Sequence, residues 1–340
     1  MRLLDKVAQS RSPMLIVPAS GTGPLISATG PADFATEVAA CPLRYVLADD
    51  LTRTAAELAF SEGDRLASCL DLLRIPAASL WVEWNDEVHQ RVLHESGSSQ
   101  TRPERAAGRQ VGLLVRACEG GCEGLVRTFW SDGPAGTCDE VTLSPLETHV
   151  HLADGPEGRR RADASQRSDL VRVTDAADAG VNALLDCTRF RFDDRWAHYY
   201  RTAVTAPSVR EGVLNESLEA VARDVPLLLA FLLLLNARDA TRSARIERRG
   251  INRKRAVAGK SPLLDHIEIR ASLDSVASVP DGDGDGGSRR PARIHHVRGH
   301  IVRRGLNVFW RSPHVRGRAT LGSIRTRTVC LAFNAHGVNA

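Results

Sequence analysis

The sequence predicts an α+β fold: an antiparallel β-meander, a buried helical core and a basic C-terminal β-hairpin module. Leu80–Trp84 alternates as a strand does, Gln110–Cys118 is strand-like, and Gly124–Trp130 returns as its hairpin partner. The run Val225–Leu235 (VPLLLAFLLLL) is apolar on every side, which a helix satisfies only by burial. From Thr241 onward 20 Arg and Lys stand against 7 Asp and Glu, net +13, whereas the first 240 residues carry 25 against 34, net −9.

A chain of 340 residues suits one large domain or two modest ones, and 43% hydrophobic with 25% charged residues is an ordinary globular balance. Cysteines at 41, 69, 118, 122, 138, 187 and 330 are odd in number and scattered, which argues for a reducing cytoplasm over a disulfide framework. Asp5 and Lys6 interrupt the apolar start, so no signal-peptide core is expected there. Val225–Leu235 is too short to span a bilayer, and no membrane partner is expected.

Four regions follow in order. Residues 1–154 form an α/β region with the meander: a short strand at Met14–Val17, a Gly/Pro-rich turn region around Gly21-Thr22-Gly23, helical spacing from Thr52 and through Arg65–Leu73, then the strands. Glu119-Gly120-Gly121 turns one hairpin, Val141–Leu143 and His149–Leu152 add short strands, and 94–109 is a polar loop. Residues 155–178 read as a linker or exposed loop. Residues 179–240 form the helical core, with Asn215 as N-cap of the main helix and Pro226 expected to kink or split it. Residues 241–340 form the basic module: the charged segment Arg242–Lys260, a strand at His266–Leu273, a loop at DGDGDGG, a hairpin of Ile294–Arg303 and Asn307–Arg311, and a last strand at Ser323–Phe333.

Several residue clusters invite a chemical reading. Asp281, Asp283, Asp285 and Gly286 match the start of an EF-hand loop, but its twelfth position is Ala292, so a solvated turn is expected. Cys118, Cys122 and Cys138 with His149 and His151 have poor spacing for a zinc knuckle and read as thiols. Glu83, between Trp81 and Trp84, shares a face with Trp81 and is expected to be an exposed strand residue.

The densest cluster is Arg293–Gly317, where Val-Arg-Gly occurs twice beside a histidine. There His300 and His314 are candidate acid/base residues, and Arg298, Arg303, Arg304 and Arg316 are candidate phosphate ligands with Trp310 as a stacking face. Arg253, Lys254, Arg255 and Lys260 form a second phosphate-capable patch.

Three stretches carry a resemblance: PAASLWVEW at 76–84, NRKRAVAGKSPLLDHIEI from Asn252, and HVRGHIVRRGLNVFWRSPHVRG at 296–317. They resemble a phage- and prophage-associated protein family with a C-terminal RGH…W…PHxRG signature, well over about the last 90 residues and loosely before them. The resemblance brings no activity; it implies a mobile-element setting and, by association, a nucleic-acid partner.

The sequence thus predicts an accessory protein that binds DNA or RNA backbone. Two alternatives stand beside it: a metal-independent phosphodiesterase or nuclease using His300 and His314, and a structural protein whose basic tail docks on its own acidic body. No metal or cofactor is expected in any of them.

Overall fold

A computed structural model describes residues 1–10, 14–16, 26–28, 31–97, 103–131, 141–152, 183–194, 217–218, 221–272, 293–297, 299–311, 314–316 and 318–323. In chain order its elements begin with α1 (Leu3–Gln9), β1 (Met14–Ile16), β2 (Ile26–Ala28), α2 (Pro31–Ala40), β3 (Leu43–Leu47), α3 (Asp49–Ser61) and α4 (Gly63–Ala67). The meander follows: β4 (Ser79–Asn85), α5 (Asp86–Glu95), β5 (Gln110–Ala117), β6 (Glu123–Ser131), β7 (Thr142–His151) and β8 (Thr188–Phe192). After it come α6 (Asp224–Asn236), β9 (Thr241–Ile246), α7 (Arg249–Val257) and β10 (His266–Ala271). The remaining strands among the described residues are β11 (Arg293–Val297), β12 (His300–Arg304), β13 (Asn307–Arg311), β14 (His314–Arg316) and β15 (Arg318–Ser323).

The chain divides into two compact units, Met1–Ser272 with Ile301–Trp310, and Leu273–His300 with Arg311–Ala340. The first is built on a ten-stranded sheet of order β2-β1-β7-β6-β5-β4-β3-β10-β9, with β8 paired to β7. Its pairs from β4 through β8 are antiparallel, while β1/β7, β3/β4 and β3/β10 are parallel. The fold is therefore α+β with a mixed, mostly antiparallel sheet.

Both faces of this sheet are covered. Leu80, Val82 and Trp84 join α3 and α6 in one core, and Trp81, Leu114 and Phe129 join α1 and α2 in the other. Every residue of α6 from Asp224 to Leu234 is buried, and Phe231 meets Tyr45 edge-on at 5.6 Å. Each such leucine contributes about 1.5–3 kcal/mol by leaving water, which makes α6 the main apolar anchor. The expected division is present: a turn at Arg223 separates the helical residues Val221 and Ala222 from α6, and Pro226 lies just inside the second piece. It occupies the third position, where a backbone N–H has no intrahelical partner to lose.

Other expectations change as well. Val141–Leu143 and His149–Leu152 belong to one strand, β7, and the expected helical stretch before Asn236 contains β8, whose TRFRF alternates in two and buries Phe190. The charged segment Arg242–Lys260 is a strand followed by a helix. The expected Ile294–Arg303 strand is divided: β12 pairs with β13, while β11 pairs with β14 and β15 in the second unit. Of the strand expected at Ser323–Phe333, only Ser323 is among the described residues, at the end of β15. Asn215, the 155–178 linker, Gly21-Thr22-Gly23, DGDGDGG and residues beyond 323 lie outside the described residues.

Candidate functional site

Glu83 is where the expectation of an exposed residue fails, because α1 covers its face of the sheet and leaves it 1% exposed. Its carboxylate accepts hydrogen bonds from Leu3 N at 3.0 Å, Leu4 N at 2.8 Å and Trp81 Nε1 at 3.1 Å. Helix α1 has no side-chain cap of its own, so Glu83 supplies the acceptor its first N–H groups need. Burial pushes the Glu83 carboxyl above the ordinary range, against the pull of these three donors. The indole reaches it because β5 carries Gly112 opposite Glu83; a Cβ there would stand 2.2 Å from Trp81 Cζ2.

From α1 a line of polar contacts runs to the surface. Asp5 Oδ1 accepts from Leu264 N at 2.8 Å and Gln9 Nε2 donates to Pro262 O at 3.0 Å, fixing the segment before β10. That segment in turn holds α7. Asn252 grips Leu263 through both its amide atoms at 2.8 Å, Arg255 Nε donates to Ser261 O at 2.7 Å, and Arg248 N at the helix start donates to Asp265 Oδ1 at 2.7 Å. Gly259, at φ +64°, takes the left-handed conformation that turns the chain back after the helix. No residue of α7 is buried, so these polar contacts, and not an apolar face, hold it in place.

The cations left over form the candidate interface. Arg249, Asn252, Arg253, Ala256, Lys260 and Pro262 line an open groove of about 510 Å³. Arg249 and Arg253 lie one turn apart on the same helix face. Arg253, Lys254 and Lys260, and Arg245 on the edge strand β9, are exposed and pair with no acidic residue among those described. Arg249 has only a loose exposed contact, 3.8 Å to Glu247.

The other predicted residues fare differently. Arg255 is spent on Ser261 and Gln9. Arg303 grips Asp71 with two nitrogens at 2.8 and 2.9 Å and also bonds Ser68 O. Trp310 is half-buried against the main core beside Val308 and the fully buried Ile301, so its ring is committed to packing more than to an incoming base. Arg304 is exposed, and His300 is half-buried at the start of β12. His314 and Arg316 lie on β14, in register with Val297 and His295 of β11. Their side chains, and Arg298, lie outside the described residues, as does Cys138. Cys118 is exposed and Cys122 half-buried, and no described cluster of metal-ligating atoms contains either.

A second cluster escaped the sequence reading. Where β4 ends, Asn85 caps α5 by accepting from Glu87 N, which places Asp86 at the first helical position and His89 one turn on. Asp224 opens α6 opposite them. His89 Nδ1 lies 3.7 Å from Asp86 Oδ1 and 3.6 Å from Asp224 Oδ1, and Arg109 Nε lies 3.6 Å from Asp86 Oδ2. Asp86, His89 and Asp224 are all buried, and Trp84 meets His89 edge-on at 6.2 Å. Burial, then the charge of Asp86, push the Asp224 carboxyl well above its ordinary range. Burial acts on Asp86 too, but His89, Arg109 and Gln90 outweigh it and hold that carboxyl low. Asn85 and Arg109 also border a polar cleft of about 610 Å³ at the carboxyl ends of the parallel strands β3 and β4, with Asp49, Asp50, Glu268 and Arg270. The sequence signal was Asn85-Asp86 followed by His89 at helical spacing; its third member, Asp224, is too distant in sequence to be read.

No protein-family model, curated protein or solved structure matches this chain. The functional reading therefore rests on its own geometry. Among the described residues no helix is long and apolar enough to cross a membrane.

Proposed function

We propose that the protein binds nucleic-acid backbone through α7 and the turn that follows it. One observation carries the reading: Arg249, Arg253 and Lys260 converge on one open groove while Asn252 and Arg255 hold the helix rigid from behind. A polyanion gains from cations that are already in place and have no internal partner to give up, because little side-chain ordering or ion-pair breaking opposes binding. An ordinary solvated helix face has the same charge but needs no such backing. Segment 238–260 holds nine Arg and Lys against two acids, Asp239 and Glu247. A repeating phosphate backbone matches that density better than a single small anion does.

The reading is tested by fluorescence anisotropy with a labelled DNA duplex and the corresponding single strand at low salt. Arg253→Ala with Lys254→Ala weakens binding at least about tenfold, since removing each cation takes away part of a purely electrostatic affinity. Unchanged affinity in that double variant, or no binding by the parent protein, overturns it.

A further inference from the structure

We propose that Asp86, His89 and Asp224 bind one divalent first-row transition ion, zinc being the best fit, between the first turns of α5 and α6. The site is separate from the basic groove, and its support is independent of that reading.

The first support is spacing. One donor atom from each residue can be chosen so that all lie within 4.8 Å of one another. The two His89-to-carboxylate separations, 3.6 and 3.7 Å, are too long for hydrogen bonds. They are close to the edge of a coordination tetrahedron, which zinc–ligand bonds of about 2.0–2.2 Å set at roughly 3.3–3.6 Å.

The second support is His89 itself. It is 0% exposed, and neither ring nitrogen has a hydrogen-bond partner. Buried imidazoles ordinarily satisfy at least one nitrogen, so a ring aimed between two carboxylates with none satisfied points to a ligand. The carboxylates ask for the same thing. Each sits at a helix N-terminus, which favours a negative charge, yet no described Lys or Arg comes within 4.0 Å of Asp224.

Donor chemistry narrows the ion. One imidazole with two carboxylates and no thiolate disfavours soft ions, and the nitrogen favours zinc, cobalt or nickel over magnesium and calcium. Three protein ligands leave a position for water. Gln90 Nε2, 3.3 Å from Asp86 Oδ1, and Arg109 on the other carboxylate oxygen hold Asp86 in its orientation. Bound there, the ion ties α5 to α6 and fixes the carboxyl end of β4 beside the polar cleft.

The experiment uses the full chain stripped with chelator and titrated with Zn²⁺ alone by calorimetry, then with Co²⁺ for its visible spectrum. The expected result is one equivalent bound and a thermal midpoint raised by several degrees in zinc. The near-isosteric Asp224→Asn lowers affinity at least about tenfold, and His89→Phe, which keeps the ring's packing, does the same. If either variant fails to fold, the cobalt spectrum of the parent protein still decides: oxygen and nitrogen ligation shows no thiolate charge-transfer band. Zinc that does not bind, binding unchanged in both variants, or a thiolate band placing the ion on cysteine would each overturn the proposal. Arg253→Ala with Lys254→Ala leaves zinc binding unchanged, so failure here and failure of nucleic-acid binding are separable.

Discussion

Helix α7 and the β12–β13 hairpin come from the same basic stretch of chain and are similarly rich in arginine, yet the structure treats them in opposite ways. The hairpin is docked: Ile301 is buried, Val308 and Trp310 pack on the main core, and Arg303 is fixed on Asp71. Helix α7 buries nothing and is pinned by Asn252 and Arg255, leaving Arg253, Lys254 and Lys260 without internal acids among the described residues. The contrast teaches that charge density alone does not mark an interface. An arginine whose fork is already filled by a carboxylate must lose that partner before it can hold a phosphate, whereas an unpaired one need only shed water.

The largest effect should come from breaking what lies beneath α7. Glu83→Ala strands two backbone N–H groups and the Trp81 indole in a dry interior, so it should cost about 3 kcal/mol or more in denaturant unfolding. Hydrogen exchange should then quicken first along α1 and 261–265. An effect below about 1 kcal/mol would mean that the line from Glu83 to α7 holds nothing. Asn252→Ala is expected to be milder, about 1 kcal/mol, because it removes a paired amide contact at a half-buried position. It should nevertheless weaken DNA binding several-fold while sparing the hairpin, as seen by exchange at α7 with β12 and β13 unchanged. Smallest is Arg303→Ala. Its pair with Asp71 is exposed to solvent, so its stability cost should be the smallest of the three and its effect on DNA affinity within about twofold. A large loss of affinity there would return the hairpin to the interface.

What the sequence disclosed follows the range of the interactions involved. The strand-like runs of β4, β5 and β6 and the all-round apolar run of α6 are local, and both were legible. Strand alternation also put Glu83 on the Trp81 face. It could not show that α1 covers that face, because α1 and Glu83 are 79 to 80 residues apart. The parallel pairing of β3 with β10 and of β1 with β7 has no local signature either. Arg255 and Arg303 looked like their unpaired neighbours because their partners are set by folding; Asp71 is 232 residues from Arg303. The Asp86–His89–Asp224 cluster was half visible as a capped helix start, and the other half required α6 to be placed.

The central claim, that α7 with its following turn and not the hairpin meets the phosphates, is tested most directly by the salt dependence of duplex DNA binding. Contacts from Arg249, Arg253, Lys254 and Lys260 predict that log K falls against log salt with a slope of about −3 to −4. Arg253→Ala with Lys254→Ala should flatten that slope by about 2, whereas Arg303→Ala should leave it unchanged. A slope near zero in the parent protein, or one that responds to Arg303 and not to Arg253 and Lys254, would contradict the account.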